Sequence, residues 1–175
     1  MAKKELLLNS REERAKGLVN SKFLEARNYQ QPWFTKFTRW YELYRNFQSR
    51  KNYEGKSNLF IPVTFWTIES TIPNLTLGKP KLRILPREES DVQRSESMTA
   101  LLDYQWDEIG MQEKLEMWVR NTLVYGTGIA KLSWNFDRQN QLDAPHVDVV
   151  DILDFYLDPN ATSIDDAEWV IHRTQ

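Results

Sequence analysis

At 175 residues, with 41% hydrophobic and 13% aromatic content, the chain has the size and apolar content of a folded domain rather than a disordered one. It has no cysteine, which excludes disulfides, thiol catalysis and cysteine-ligated metals. The net charge of −2 hides an asymmetry: residues 1–60 carry thirteen Lys and Arg against six acids, whereas residues 61–175 carry ten against nineteen. A basic front and an acidic back favour contact between segments or docking of neighbouring copies. The N-terminal charges are interleaved with acids, so a solvated helical face is expected there ahead of a nucleic-acid contact. No apolar run reaches transmembrane length, and Leu6-Leu7-Leu8 is too short for a signal-peptide core. A soluble protein that is not exported and has no membrane partner is expected.

The first 31 residues read as a basic arm or helix. Ser10-Arg11-Glu12-Glu13 has capping-box spacing and predicts a polar helix over 11–29. Its apolar residues Leu18, Phe23 and Leu24 are too sparse to stabilise it without a packing partner. Pro32 is placed to open a second helix. Through 33–47, Trp33, Phe37, Trp40, Tyr41, Tyr44 and Phe47 recur at helical spacing and form one aromatic face. That face fits a core or a subunit interface, and less well a stacking platform for single-stranded nucleic acid.

A polar loop over 52–58 leads to an apolar segment over 63–77 that Pro73 interrupts, and Gly78-Lys79-Pro80 ends it. Lys81-Leu82-Arg83-Ile84-Leu85-Pro86 alternates like a short strand. A helix from Ser90 to Ile109 follows, with Val92, Met98, Leu101, Leu102, Trp106 and Ile109 as its buried stripe. Gly110 breaks it from an antiparallel neighbour over 112–125, whose inward residues are Leu115, Trp118, Val119, Thr122 and Leu123. Ala130, Leu132, Trp134 and Phe136 then alternate with polar residues as a half-buried strand. A polar turn over 137–141 predicts a hairpin to a second strand over 146–152, and 168–173 is a third strand-like run. Helices followed by strands give an α+β class: N-terminal helices, a helix pair and a small antiparallel sheet. The last run stops two residues short of the end, so a continuation beyond residue 175 is expected.

No catalytic constellation emerges, and an enzyme is not expected. Gly126-Thr127-Gly128 lacks the four-residue spacing and Lys-Ser/Thr pair of a phosphate loop, and it joins helix to strand, the reverse of a helix N-terminal anion site. Gly126 is read as a left-handed helix cap and Gly128 as room for a tight reversal, together a structural hinge. Asp143, Asp148, Asp151, Asp154 and Asp158 fit turns and a solvated edge better than a divalent-metal site. His146 and His172 have no nucleophile or metal-binding motif beside them. No cofactor and no metal is assigned.

Taken in order, Lys56-Ser57-Asn58-Leu59-Phe60-Ile61-Pro62, Gly78-Lys79-Pro80, Tyr125-Gly126-Thr127-Gly128-Ile129-Ala130-Lys131 with Trp134, Asp154-Phe155-Tyr156-Leu157-Asp158-Pro159 and the run Asp166–Arg173 resemble the portal, or head–tail connector, proteins of tailed bacteriophages. The resemblance covers residues 30–175. It implies that 32–175 form the wing-type α+β domain of a structural subunit in a dodecameric ring at the capsid vertex. Such a ring is the channel for DNA packaging and ejection. The implied partners are further copies of the chain, the major capsid protein, and terminase and head-completion or adaptor proteins that bind elsewhere on the subunit. Double-stranded DNA would pass through without sequence specificity. The implied location is the virion, with assembly in the host cytoplasm. Trp33, Phe37, Trp40, Tyr44, Trp134 and Trp169 are the candidate core or interface aromatics. The competing readings are a stand-alone nucleic-acid-binding module and, less favoured, a metal-dependent nuclease built on the acidic segment.

Overall fold

The computed structural model describes residues 2–47, 61–135 and 144–174, with residues 2–10 and 144 described by their backbone. It is α+β: among the described residues there are four α-helices and two small antiparallel sheets. The helices are α1 (Ala2–Tyr44), α2 (Val63–Thr76), α3 (Val92–Glu108) and α4 (Met111–Tyr125). The strands are β1 (Ile129–Asn135), β2 (Ala144–Val150), β3 (Phe155–Leu157) and β4 (Val170–His172). These elements form two compact units. One combines Met1–Arg39 with Leu153–Gln175, and the other is Trp40–Ile152.

In the first unit, α1 carries the β3–β4 pair, in which Tyr156 lies opposite Ile171. Ala26 is 0% exposed and Tyr156 only 2%. Phe23 and Phe34 meet the Tyr156 ring edge-on, with centroids 4.8 and 5.8 Å away. Gln30, with its amide oriented to satisfy both groups, donates to the Phe155 carbonyl and accepts from the Leu157 N–H at 3.2 Å each. A helical side chain thus completes the open edge of β3. The Arg173 guanidinium and backbone N–H both donate to Asp154, at 2.8 Å from Nε and 2.9 Å from the backbone, which ties the far end of the hairpin.

In the second unit, α2 packs on α4, with Ile68 and Ile72 buried. Gln112 on α4 donates to the Thr76 carbonyl at 2.8 Å, satisfying one of the orphan acceptors at the end of α2. Gly110 (φ 64°) and Gly126 (φ 75°) bound α4 in the left-handed conformation, the one glycine adopts without a Cβ clash. The β1–β2 hairpin has the expected antiparallel pairing, Ile129 opposite Val150 through Asn135 opposite Ala144. The turn expected over 137–141 lies outside the described residues.

Several local expectations are corrected. The helix is already running at Ala2, so Ser10 is interior and not its cap. Pro32 does not start a new helix but sits inside α1. A proline there removes one N–H and strains one turn, and the flanking helix together with the Tyr156 packing holds the helix through it. Pro73 likewise falls in the last turn of α2 without ending it early. Residues 81–86 form no strand. Bracketed by Pro80 and Pro86, they lie against α3, where the Ile84 N–H donates to Thr99 Oγ1 at 3.2 Å. Val92, Met98 and Leu101, expected to be buried, are exposed, and on α3 the buried side chain is Ser95. The third strand joins no common sheet with β1 and β2 but pairs with β3.

Replacing Tyr156 with alanine empties the centre of the first unit and should lower stability by about 3 kcal/mol. A fall of that size in urea unfolding monitored by circular dichroism is the expected outcome.

Candidate functional site

The junction from α4 into β1 is built by two glycines with different tasks. Gly126 takes φ 75° and donates its N–H to the Thr122 carbonyl at 2.8 Å, closing the helix with a left-handed cap. Gly128 needs no special backbone angle. A Cβ there would lie 2.6 Å from Trp118 Cδ1 and would overlap Thr122 Oγ1. Its role is close approach of strand to helix, which replaces the tight reversal expected for it. Nothing in this geometry cradles a phosphate, because the helix presents its C-terminal carbonyl end to the loop.

Beside this junction lies a charged contact that was not anticipated. Glu69 is the lone charged residue in the apolar stretch 63–77. Its Oε1 accepts from Tyr44 Oη at 2.5 Å and from Arg120 Nε at 3.0 Å, and its Oε2 accepts from Arg120 Nη2 at 3.2 Å. One carboxylate therefore ties the end of α1, the middle of α2 and the middle of α4. Hydrogen bonding from the Arg120 guanidinium, then from the Tyr44 hydroxyl, holds the Glu69 carboxyl below the usual carboxylate range. Burial, and then the bond to Glu69, pushes the Tyr44 phenol up. Nearby, Tyr125 stacks on Tyr41 at 6.4 Å, and burial pushes its phenol up to about 12. Helical spacing alone puts Arg120 among the polar residues of α4 and shows no partner for it. The single acid in an uncharged helix was the signal that it needed a partner.

The six candidate aromatics do not gather in one place. Trp33 and Phe37 belong to the first unit, with ring centroids 6.4 Å apart and Lys36 Nζ 4.2 Å over the Trp33 ring. Trp169 is in that unit too, with Lys22 Nζ 5.5 Å from its ring. Trp40, Tyr44 and Trp134 belong to the second unit. Trp33 and Trp134 are exposed, whereas Phe37, Trp40, Tyr44 and Trp169 are half-buried. Strand β1 alternates as expected, but its apolar face is open: Leu132 is 74% exposed and Trp134 also faces outward. Ile129 and Ser133 on the opposite face are the more covered, next to buried Val150.

The acids are spoken for separately. Asp148 pairs with His146 Nε2 at 2.8 Å, Asp154 holds Arg173, and Asp158 accepts from the Asn160 N–H at 3.0 Å in an Asx turn. Asp143 lies outside the described residues. Among the described residues no three His, Cys, Asp or Glu side chains converge as a metal site would require. Among them, too, no helix is long and apolar enough to cross a membrane. No protein-family model matches this chain, and a search of curated proteins finds no match either.

Two outcomes test the junction and the ion pair. Gly128→Ala should destabilise by about 1–3 kcal/mol through overpacking against Trp118. Gly126→Ala should cost about 1 kcal/mol through its positive φ, and urea midpoints would rank the two. Glu69→Gln should cost about 1 kcal/mol at pH 7, a value reduced by solvent screening because the Arg120 side chain is 36% exposed. A depressed carboxyl contributes stability that is full above its unfolded value near 4.5 and fades as pH falls through the lower folded value. The gap between wild type and Glu69→Gln should therefore close below about pH 4. A gap that stayed constant down to pH 2 would show that the carboxylate charge is not what stabilises the contact.

Proposed function

We propose that this chain is the front, wing-type part of a subunit in a portal-like ring, acting as a structural element rather than an enzyme. The observation that carries the reading is the apolar surface each unit leaves open. In the first unit Leu18, Val19 and Leu24 of α1 are exposed. In the second, Trp66 of α2 is 65% exposed and Leu77 just beyond it 86%, while Met98, Leu101 and Tyr104 of α3 and Leu132 and Trp134 of β1 are open as well. Exposed apolar and aromatic side chains in this number fit an assembly interface, where Trp and Tyr are enriched.

The polar side chains of α2 add to this support. Thr67, Ser70, Thr71, Asn74 and Thr76 all donate to carbonyls of their own helix at 2.7–3.1 Å, so covering these five side chains would leave none of them without an acceptor. Glu69, its one charge, is neutralised internally. The ordered motifs from Gly78-Lys79-Pro80 to Asp166–Arg173 supply the portal part of the reading. On that reading the partners are further copies of the chain, capsid protein, terminase and adaptor proteins, with DNA passing through and the virion as the destination. The nucleic-acid-module reading has less behind it, because the aromatics of 33–47 contact one another and are divided between two units.

Negative-stain imaging of the full-length protein should show closed rings with a central hole. A uniformly monomeric preparation, confirmed by sedimentation velocity over a hundredfold concentration range, would overturn the proposal.

A further inference from the structure

Two surface features, one on each unit, are complementary in charge, and each carries an apolar part. On the second unit, residues 79–86 and α3 enclose a groove of about 770 Å³. Its place on α3 is set by Lys79, whose Nζ meets Asp107 Oδ1 at 3.0 Å, and by the Ile84–Thr99 hydrogen bond. Leu82 and Ile84 give it an apolar wall. Lys81 and Arg83 alternate with them, are exposed, and form no ion pair among the described residues. The segment 79–87 holds four cations and no acid, in a half of the chain that is otherwise strongly acidic.

On the first unit, the turn from Ile164 to Ala167 projects the opposite combination. The Ala167 N–H donates to the Ile164 carbonyl at 3.3 Å, and Thr162 Oγ1 donates to Asp166 Oδ2 at 3.3 Å, so the turn is closed on itself. Ile164 is 62% exposed at its tip, with exposed Asp165 and Asp166 next to it. Neither acid has an ion-pair partner among the described residues.

We infer that the Ile164–Ala167 turn of one copy docks in the groove between residues 79–86 and α3 of the next copy. Ile164 enters against Leu82 and Ile84, and Asp165 and Asp166 meet Lys81 and Arg83. Glu96 on the α3 wall orients the turn, since like charge keeps the two aspartates on the opposite, basic wall. Asp103 on the same wall is already held by Lys79 at 3.7 Å. The two surfaces differ, so the contact is head-to-tail and propagates until rotation closes it. The inference rests on the assembly step of the reading above and not on the portal role.

The chain has no cysteine, which makes a thiol test clean. A Leu82→Cys chain mixed with an Ile164→Cys chain should give a heterodimeric disulfide on mild oxidation, at least tenfold faster than either chain forms a homodimer. Charge reversal supplies the second arm. Lys81→Glu/Arg83→Glu and Asp165→Lys/Asp166→Lys should each weaken self-association about tenfold or more, given the cost of like charges at an interface. Mixing the two reversed chains should restore it, because each groove then meets a turn of opposite sign. Folding of every variant is checked by circular dichroism. Homodimer and heterodimer disulfides forming at equal rates, or reversed chains that associate like wild type or are not rescued by mixing, would overturn the docking. Rings that persist without the heterodisulfide would remove the docking and leave the ring reading. A heterodisulfide in a protein that never forms a holed ring would do the reverse.

Discussion

Glu69 is the constraint on which the second unit depends. It is the one charge in an otherwise uncharged helix, and a carboxylate there is tolerable only if donors reach it. Arg120 and Tyr44 supply three, from two other helices. The contact therefore sets how α2 is rotated about its own axis: Glu69, Ile68, Ile72 and Thr76 turn toward α4 and the end of α1. The opposite face, with Val63, Trp66 and the self-bonded Thr67 and Ser70, is left outward. The internal ion pair thus determines which face of α2 is left exposed.

The rest of the unit follows from that placement. With α4 held on α2, its left-handed cap at Gly126 directs the chain into β1, and Gly128 lets the strand pass Trp118 at a distance no side chain permits. Lys114 of α4 donates to the Val147 carbonyl at 2.6 Å and fastens the hairpin on one side. The first unit uses a different device, one buried aromatic ring held by two others. Tyr156 packs between Phe23 and Phe34, and Gln30 caps the edge of a strand too short to be stable as an isolated pair.

Both units have thin cores and rich apolar surfaces. Among the described residues the buried hydrophobic side chains are Ala26, Ile68, Ile72, Val150 and Tyr156, in a chain with seven tryptophans. On the proposal above, neighbouring copies cover that surface. The groove of 79–86 and the Ile164 turn show how charge would give such neighbours an orientation, since apolar burial alone is non-directional.

The sequence by itself determined the α+β class, the helix pair around Gly110, the left-handed cap at Gly126 and the antiparallel β1–β2 hairpin. All of these follow from local chemistry: glycine punctuation, helical spacing and period-two alternation. Only the tertiary structure decided what each periodic face meets. Periodicity says that Met98 and Leu101 share a side, and that Leu132 and Trp134 do, but not how far each is covered; all four stay substantially exposed. Pro32 could be read as a helix start because local propensity cannot see Tyr156, which arrives from more than a hundred residues away to hold that helix. Arg120 carries no local sign of its role for the same reason: its partner Glu69 is brought to it by packing, and packing depends on distance in space rather than on position along the chain.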